Sequence, residues 1–333
     1  MTESAPSTDV LDVIIVGAGP AGLTAGIYCS RGRLDTVILE RNMAGGQIAL
    51  TELVENYPGF PEGISGFDLS EKMKSQAVQF GAELREIEAV TALRAEPDGF
   101  YSVATDRGAL RARSVILAPG VEGRRSGIPG EAEFIGRGVS WCATCDGALY
   151  RGRTVAVVGG GDSAVEEGMF LTKFADKVYL VHRRDELRAA PIARERAFAN
   201  PKMEFVWDSV PRKIDGDQVV EALEVENVKT HEMRTLPVNG VFMYIGQLPN
   251  TTWLKDVVDL DEQGYIVTDG HLSTKLPGVF ACGDAHANPL KQIAMAIGEG
   301  ALAAVQAERY LDTLECPAPG AASAAGGSAA APA

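Results

Sequence analysis

DVIIVGAGPAG, running from Asp12 to Gly22, is repeated in kind by TVAVVGGGDSA, from Thr154 to Ala164. Each begins as a continuous β-branched run, the mark of a strand buried on both faces, and passes through a glycine turn into helix-forming residues. A helix that opens on such a turn offers unpaired backbone N–H groups and partial positive charge, and glycines lacking Cβ let a pyrophosphate come close. Around these two units Thr36–Leu39, Ser114–Leu117 and Val178–Val181 read as further short strands, with Ala21–Arg31 and Ser163–Phe174 as helices.

This alternation predicts an α/β protein with two Rossmann-like dinucleotide-binding domains and mostly parallel sheets. Strand and turn signals between Trp253 and Gly300, including GVFACGDA, are assigned to the first domain, which makes the second an insertion. The expected layout is 1–122 as the first part of one domain, 123–249 as the inserted domain, 250–316 as the second part of the first, and 317–333 as a disordered tail. That tail holds only Ala, Gly, Pro and Ser, too little apolar surface to offset its ordering entropy.

With 45 acidic against 31 basic residues the net charge is −14, so nucleic acid is repelled over most of the surface. The apolar stretch from Val10 to Cys29 is broken by Gly17, Gly19, Pro20 and Gly22, and Glu3, Asp9 and Asp12 stand where a signal peptide carries bases. Neither export nor a membrane span is expected. Of five cysteines only Cys142 and Cys145 lie close together, which argues against a secreted disulfide framework and for a cytoplasmic protein.

In the first turn Gly17, Gly19 and Gly22 are followed, at the end of the next strand, by Glu40, a carboxylate placed to accept hydrogen bonds from ribose hydroxyls. A tight turn without a ligand is the plain alternative, and Glu40 tells against it. The turn alone does not separate FAD from NAD, which share the pyrophosphate and ribose. The second turn, Gly159, Gly161 and Ala164 with Asp162 and Ser163 between, is followed not by an acid but by VHRRDELR. His182, Arg183, Arg184 and Arg188 put positive charge at the ribose edge, where guanidinium forks suit a 2'-phosphate, so NADPH is expected over NADH. A solvated basic helix start is the alternative.

WCATCDG spaces Cys142 and Cys145 so that two thiols can join across one helical turn, and a helix start lowers a thiol pKa. A redox disulfide fits better than half a zinc site, because Cys29, Cys282, Cys316 and the histidines show no partner spacing. Asp146 could hold the proton that a departing thiolate requires, or be an exposed loop acid. Cys29 reads as a small buried hydrophobe.

Taken together, GAGPAG, GGQ at Gly45–Gln47, ENYPGF at Glu55–Phe60, CATCDG, GGGDSA, HRRxxxR, IGQLPNT and ACGD, in this order, resemble the bacterial low-molecular-weight thioredoxin reductases over nearly the whole chain from about residue 10 to 312. The resemblance implies a homodimer, a thioredoxin partner, FAD held by the domain built from both chain ends, and NADPH held by the inserted domain that carries the disulfide. It implies FAD contacts from Gly17, Gly19, Pro20, Ala21, Gly22, Glu40, Arg41, Gly46, Gln47, Asn56, Gly283, Asp284, Lys291, Gln292 and Ile293. Three departures stand out: Lys291 where the family often has Arg, Ala148 and Leu149 where some members dock partners with a phenylalanine pair, and Cys282 at a position more often alanine.

Nicotinamide and disulfide ride on one inserted domain and each must reach the flavin, so a hinged rotation is expected, with hinges near Val121–Ser126 and Gln247–Thr252. The alternatives are a reductase serving a peroxide-reducing partner and a non-catalytic dinucleotide-sensing module.

Overall fold

A computed structural model describes residues 10–315 apart from Glu52; the expected disordered tail and Cys316 lie outside the described residues. Contacts divide the chain into two compact units, Met1–Gly46 with Leu69–Gly120 and Thr251–Ala333, and Gln47–Asp68 with Val121–Asn250. The segment 47–68, placed by the sequence reading with the first domain, groups by contact with the second unit. Among the described residues no helix is long and apolar enough to cross a membrane.

In the first unit the apolar run of the first motif is β1 (Leu11–Val16), and the glycine turn hands it to α1 (Pro20–Arg31). Strands β2 (Thr36–Glu40) and β3 (Glu83–Glu86) continue the sheet in parallel on one side of β1. Helix α2 (Gly66–Gln79) precedes β3, and an antiparallel pair follows it, β4 (Val90–Ala95) and β5 (Tyr101–Thr105). Strand β6 (Gly108–Leu117) is the pivot: its first half pairs with β5, and its last residues pair in parallel with β1 and with the late strand β17 (Val279–Ala281). The segment after the second unit therefore completes the first sheet, and the chain closes on α6 (Ile293–Glu315). Ile14, Val16, Val37, Leu39, Val115, Leu117 and Val279 meet in one core, each fully buried aliphatic contributing about 1.5–3 kcal/mol.

The second unit begins with β7 (Val121–Gly123) and β8 (Val139–Ser140), then a short helix α3 (Ala143–Asp146). Strand β9 (Thr154–Gly159), helix α4 (Asp162–Leu171), β10 (Lys177–Val181), α5 (Pro191–Phe198) and β11 (Met203–Val206) follow in βαβαβ order. The meander β12 (Ser209–Gly216), β13 (Val220–Asn227) and β14 (Met233–Pro237) leads to β15 (Gly240–Tyr244) and β16 (Gln247–Pro249). The parallel sheet has the order β11-β10-β9-β15-β8. Val155, Val157, Leu171 and Leu180 form a core with α4 and α5, while Val158, Val181, Leu223 and Leu236 form another with the meander. Both faces are thus covered, which is why β9 and β10 read as unbroken apolar runs. The two expected hinge segments meet here: β16 pairs antiparallel with β7, Gln247 opposite Gly123 and Pro249 opposite Val121.

Candidate active site

The first glycine turn is tight for reasons the backbone makes plain. Gly17 has φ of 103°, and a Cβ there would lie 2.1 Å from the Ala118 carbonyl oxygen; a Cβ on Gly22 would lie 1.8 Å from the Gly17 oxygen. Gly19 caps α1 without any side-chain hydrogen bond, which leaves the first-turn N–H groups of Pro20–Arg31 for a ligand. Glu40 ends β2 and braces the turn: Oε2 accepts from Ala18 N–H at 2.8 Å and Oε1 from Asn42 N–H at 2.9 Å. Each oxygen keeps a second lone pair for a ribose hydroxyl.

Other residues of the expected flavin set gather on this turn. Gly46 approaches Gly19 so closely that a Cβ would come within 3.0 Å of its Cα, and Gly45 N–H donates to Ala18 at 2.8 Å. Gly283, with φ of 71°, faces Ala21, where a Cβ would meet the alanine methyl at 2.8 Å. Asp284 follows in a half-buried turn; burial raises its carboxyl, and Lys291 opposes that rise. Lys291 donates to the Asp284 carbonyl oxygen at 2.8 Å and stands 4.1 Å from the centre of the Tyr265 ring; burial lowers its pKa. Ile293 opens α6. Gln47 and exposed Asn56 fall in the other unit, where the Gln47 amide donates to the Val121 carbonyl at 3.0 Å.

The second turn repeats the pattern within its own unit. Gly159 has φ of 152°, Gly161 caps α4 without a side-chain bond, and Ala164 packs where a Cβ on Gly159 would lie 2.7 Å from its methyl. The basic loop closes over it, Arg188 N–H donating to the Gly160 carbonyl at 2.7 Å and Ala190 N–H to Asp162 Oδ1 at 2.7 Å. A cavity of about 590 Å3 opens there, lined by Arg184, Arg188 and Arg194 among others. Arg194 was missed in the sequence because it sits on α5, past the motif; its Nη1 pairs with Glu186 at 2.8 Å.

His182 is not the exposed positive charge that its place beside two arginines suggests. It is 5% exposed, packed so that a Cβ on Gly160 would lie 2.3 Å from its ring, and burial, then Arg188, lowers its pKa. The positive charge at this end comes from the arginines. His182 Nε2 is buried with no hydrogen-bond partner among the described residues, an orphan beside the turn that a bound dinucleotide would suit. Both turns fit the dinucleotides expected of them.

Cys142 and Cys145 are joined as a disulfide with Cα atoms 5.4 Å apart. Cys142 is the N-cap of α3, its Sγ accepting from Cys145 N–H at 3.1 Å. Cys145 and Leu149 are exposed, Leu149 at 71%, whereas Asp146 is half-buried. Cys29 and Cys282 are buried free thiols.

This chain is similar to known proteins along most of its length. The family described as pyridine nucleotide-disulphide oxidoreductase matches residues 11–300. A thioredoxin reductase from Listeria monocytogenes is 49% identical over 310 residues, 92% of this chain and 95% of that protein. The crystal structure of Lactococcus lactis thioredoxin reductase in its FR conformation is 42% identical, covers 91% of this chain and 99% of its own, and superposes with a TM-score of 0.88. The thioredoxin reductase of Streptococcus pyogenes, 43% identical over 92% of this chain and 100% of its own, superposes at 0.62. With its two glycine turns and its CATC disulfide, the chain belongs to the pyridine nucleotide-disulphide oxidoreductase family, among the thioredoxin reductases.

Proposed function

We propose that this protein reduces the disulfide of thioredoxin with electrons from NADPH, carried through FAD to Cys142–Cys145. The observation that carries the reading is a disulfide capping a helix in the same unit as an arginine-lined dinucleotide turn. Gly17, Gly19, Pro20, Ala21, Gly22, Glu40, Arg41, Gly46, Gln47, Asn56, Gly283, Asp284, Lys291, Gln292 and Ile293 hold FAD. Gly159, Gly161, Asp162, Ser163, Ala164, His182, Arg183, Arg184 and Arg188 hold NADPH, His182 as a neutral wall and the arginines as the charge.

FAD, when bound, supplies a two-electron carrier between nicotinamide and disulfide. The chain's own part lies in the sulfurs. Once the Sγ–Sγ bond opens, Cys145 N–H and the amino end of α3 stabilise negative charge at Cys142, and Asp146 holds or gives the proton that distinguishes thiol from thiolate. A thiolate of the pair attacks the partner disulfide, and the second sulfur resolves the mixed disulfide.

The nicotinamide and the disulfide take turns through rotation of the inserted segment 121–250, about the chain crossings at Gly120–Val121 and Asn250–Thr251, two of the four places where the units divide; segment 47–68, with Gln47 and Asn56, stays with the flavin. The spread of TM-scores between the Lactococcus lactis and Streptococcus pyogenes structures, alike in identity, supports a family with more than one arrangement. The protein works as a cytoplasmic homodimer; Tyr28, Val78 and Phe80, exposed on and just beyond the helices of the first unit, support a second copy.

The test follows flavin bleaching and thioredoxin reduction separately in wild type and Cys145→Ser. The variant should bleach with NADPH yet pass nothing to thioredoxin. Continued thioredoxin reduction by the variant would remove the pair from the route.

A further inference from the structure

Tyr244 ends β15, and its register partner is Gly159, the residue that opens the second glycine turn. A Cβ on Gly159 would lie 2.5 Å from the Tyr244 carbonyl oxygen, so the tyrosine backbone is a wall of that turn. Its side chain serves the disulfide. Tyr244 Oη accepts from Ala143 N–H at 3.0 Å, and Ala143, fully buried, is the first residue of α3. No carbonyl inside a helix can satisfy an N–H at that position. The neighbouring N–H groups are used otherwise, Cys145 giving its proton to Cys142 Sγ and Asp146 giving its proton to the Cys142 carbonyl at 3.2 Å.

Glu167 on α4 faces the same hydroxyl and favours its neutral form. The result is a chain from the Ala143 amide through a neutral phenol toward the Glu167 side chain, in which polarisation of one link is felt by the next. Burial, then Glu167, holds the phenol far above its ordinary range, so Tyr244 relays and does not ionise. The titratable groups facing it are Glu167 from α4 and Asp146 from α3; Tyr150, in the turn after α3, is itself raised by burial and then by Asp146.

We propose that Tyr244 is a positioning residue for the redox pair: it connects the charge of Glu167 to the amino end of α3, offsets the positive end that favours a thiolate at Cys142, and so keeps the pair strongly reducing. The proposal rests on the reading of Cys142–Cys145 as the redox pair. A less stable thiolate makes the disulfide harder to reduce and the dithiol a better donor to a partner. Reduction breaks the Sγ–Sγ bond and takes two electrons, with one proton to leave a thiol and a thiolate, or two protons to leave two thiols.

The test uses flavin-bound wild type, Glu167→Gln, Tyr244→Phe and the double variant. Each is equilibrated without oxygen across ratios of reduced to oxidised dithiothreitol, which supplies both electrons and both protons as it closes to its cyclic disulfide. The samples are quenched, and alkylation at Cys142 and Cys145 is counted by mass spectrometry. Iodoacetamide rates against pH give the thiol titration. Glu167→Gln should move the equilibrium toward the dithiol by about 3–10-fold and lower the thiol titration, the size of a helix-end charge effect. In the Tyr244→Phe background the same substitution should change the equilibrium by less than about twofold, because the connection is gone.

An equal shift with and without the hydroxyl overturns the relay. Wild-type behaviour of both single variants overturns it as well and marks the contact as structural support only. Should Tyr244→Phe fail to fold, Glu167→Gln decides alone, since an unmoved equilibrium refutes the proposal. No arm depends on NADPH, so failure of NADPH to reduce the wild-type pair would instead sink the functional reading.

Discussion

His286 Nε2 stands 3.0 Å from Glu299 Oε1, both side chains only 6% exposed. The same carboxylate accepts from Gly283 N–H at 2.8 Å and from the Asn288 amide at 3.3 Å, so a single residue of α6 pins the turn that follows β17. Glu299→Ala should therefore cost about 1–3 kcal/mol, the usual consequence of leaving buried donors unsatisfied. Urea unfolding and flavin retention on gel filtration check it. A loss under about 1 kcal/mol, typical of exposed pairs, would mean that the turn is held some other way.

Asp284 lies in that turn with its carboxyl raised, first by burial and then, against the pull of Lys291, by Glu299. The folded protein thus binds this proton more tightly than the unfolded chain does. Asp284 favours folding in acid and costs stability as pH rises through the ordinary carboxylate value toward the raised one. Asp284→Asn should raise the melting temperature of flavin-free protein at pH 7, with a smaller gain at pH 4, while weakening FAD binding. A melting temperature that falls at pH 7 would contradict this.

Arg188 and Arg194 line one cavity, and on the proposed function their guanidinium groups meet the phosphate of NADPH there. Replacing either with Ala should weaken NADPH about 10–100-fold, the range for a lost charged hydrogen bond. NADH binding, measured by fluorescence titration, should move by less than about threefold if the contact is to the 2'-phosphate. Equal losses for the two dinucleotides would place the arginines elsewhere on the cofactor.

Burial pushes the Cys29 thiol up to about 12 and raises that of Cys282 as well, with Glu308 and Glu299 adding to the respective shifts. Neither can supply thiolate at working pH. In NADPH-reduced native enzyme at pH 8, peptide mapping after iodoacetamide should find label at positions 142 and 145 and none at 29 or 282 until denaturant is added. Cys282→Ala, the residue more usual there, should leave labelling at the redox pair unchanged.

The elements that carry backbone necessity were legible in the sequence. Gly17 and Gly22 admit no Cβ, and β1 and β9 are covered on both faces, so composition had little freedom. Side chains whose role depends on a distant partner were not legible. Tyr244 looks like any aromatic at the end of a strand until Ala143 is seen beside it, and Arg194 lies beyond the motif that announces the basic loop. His182 was misread in charge because burial under Gly160 leaves no trace in the local sequence. The meander β12–β14 went unforeseen too: its strands alternate buried and exposed residues with a bulge near Pro211, a weaker signal than an unbroken apolar run.

The pairing of β7 with β16 has a mechanical meaning. Two separate strings of backbone would let a carried body wobble, twist and slide; here they are stitched into a ladder at Gly123–Gln247, Glu122–Leu248 and Val121–Pro249, a single strap in place of two strings. For the rotation proposed above, freedom would then be concentrated in the few bonds just outside the stitches, and a swing between two stations could be wide without being loose.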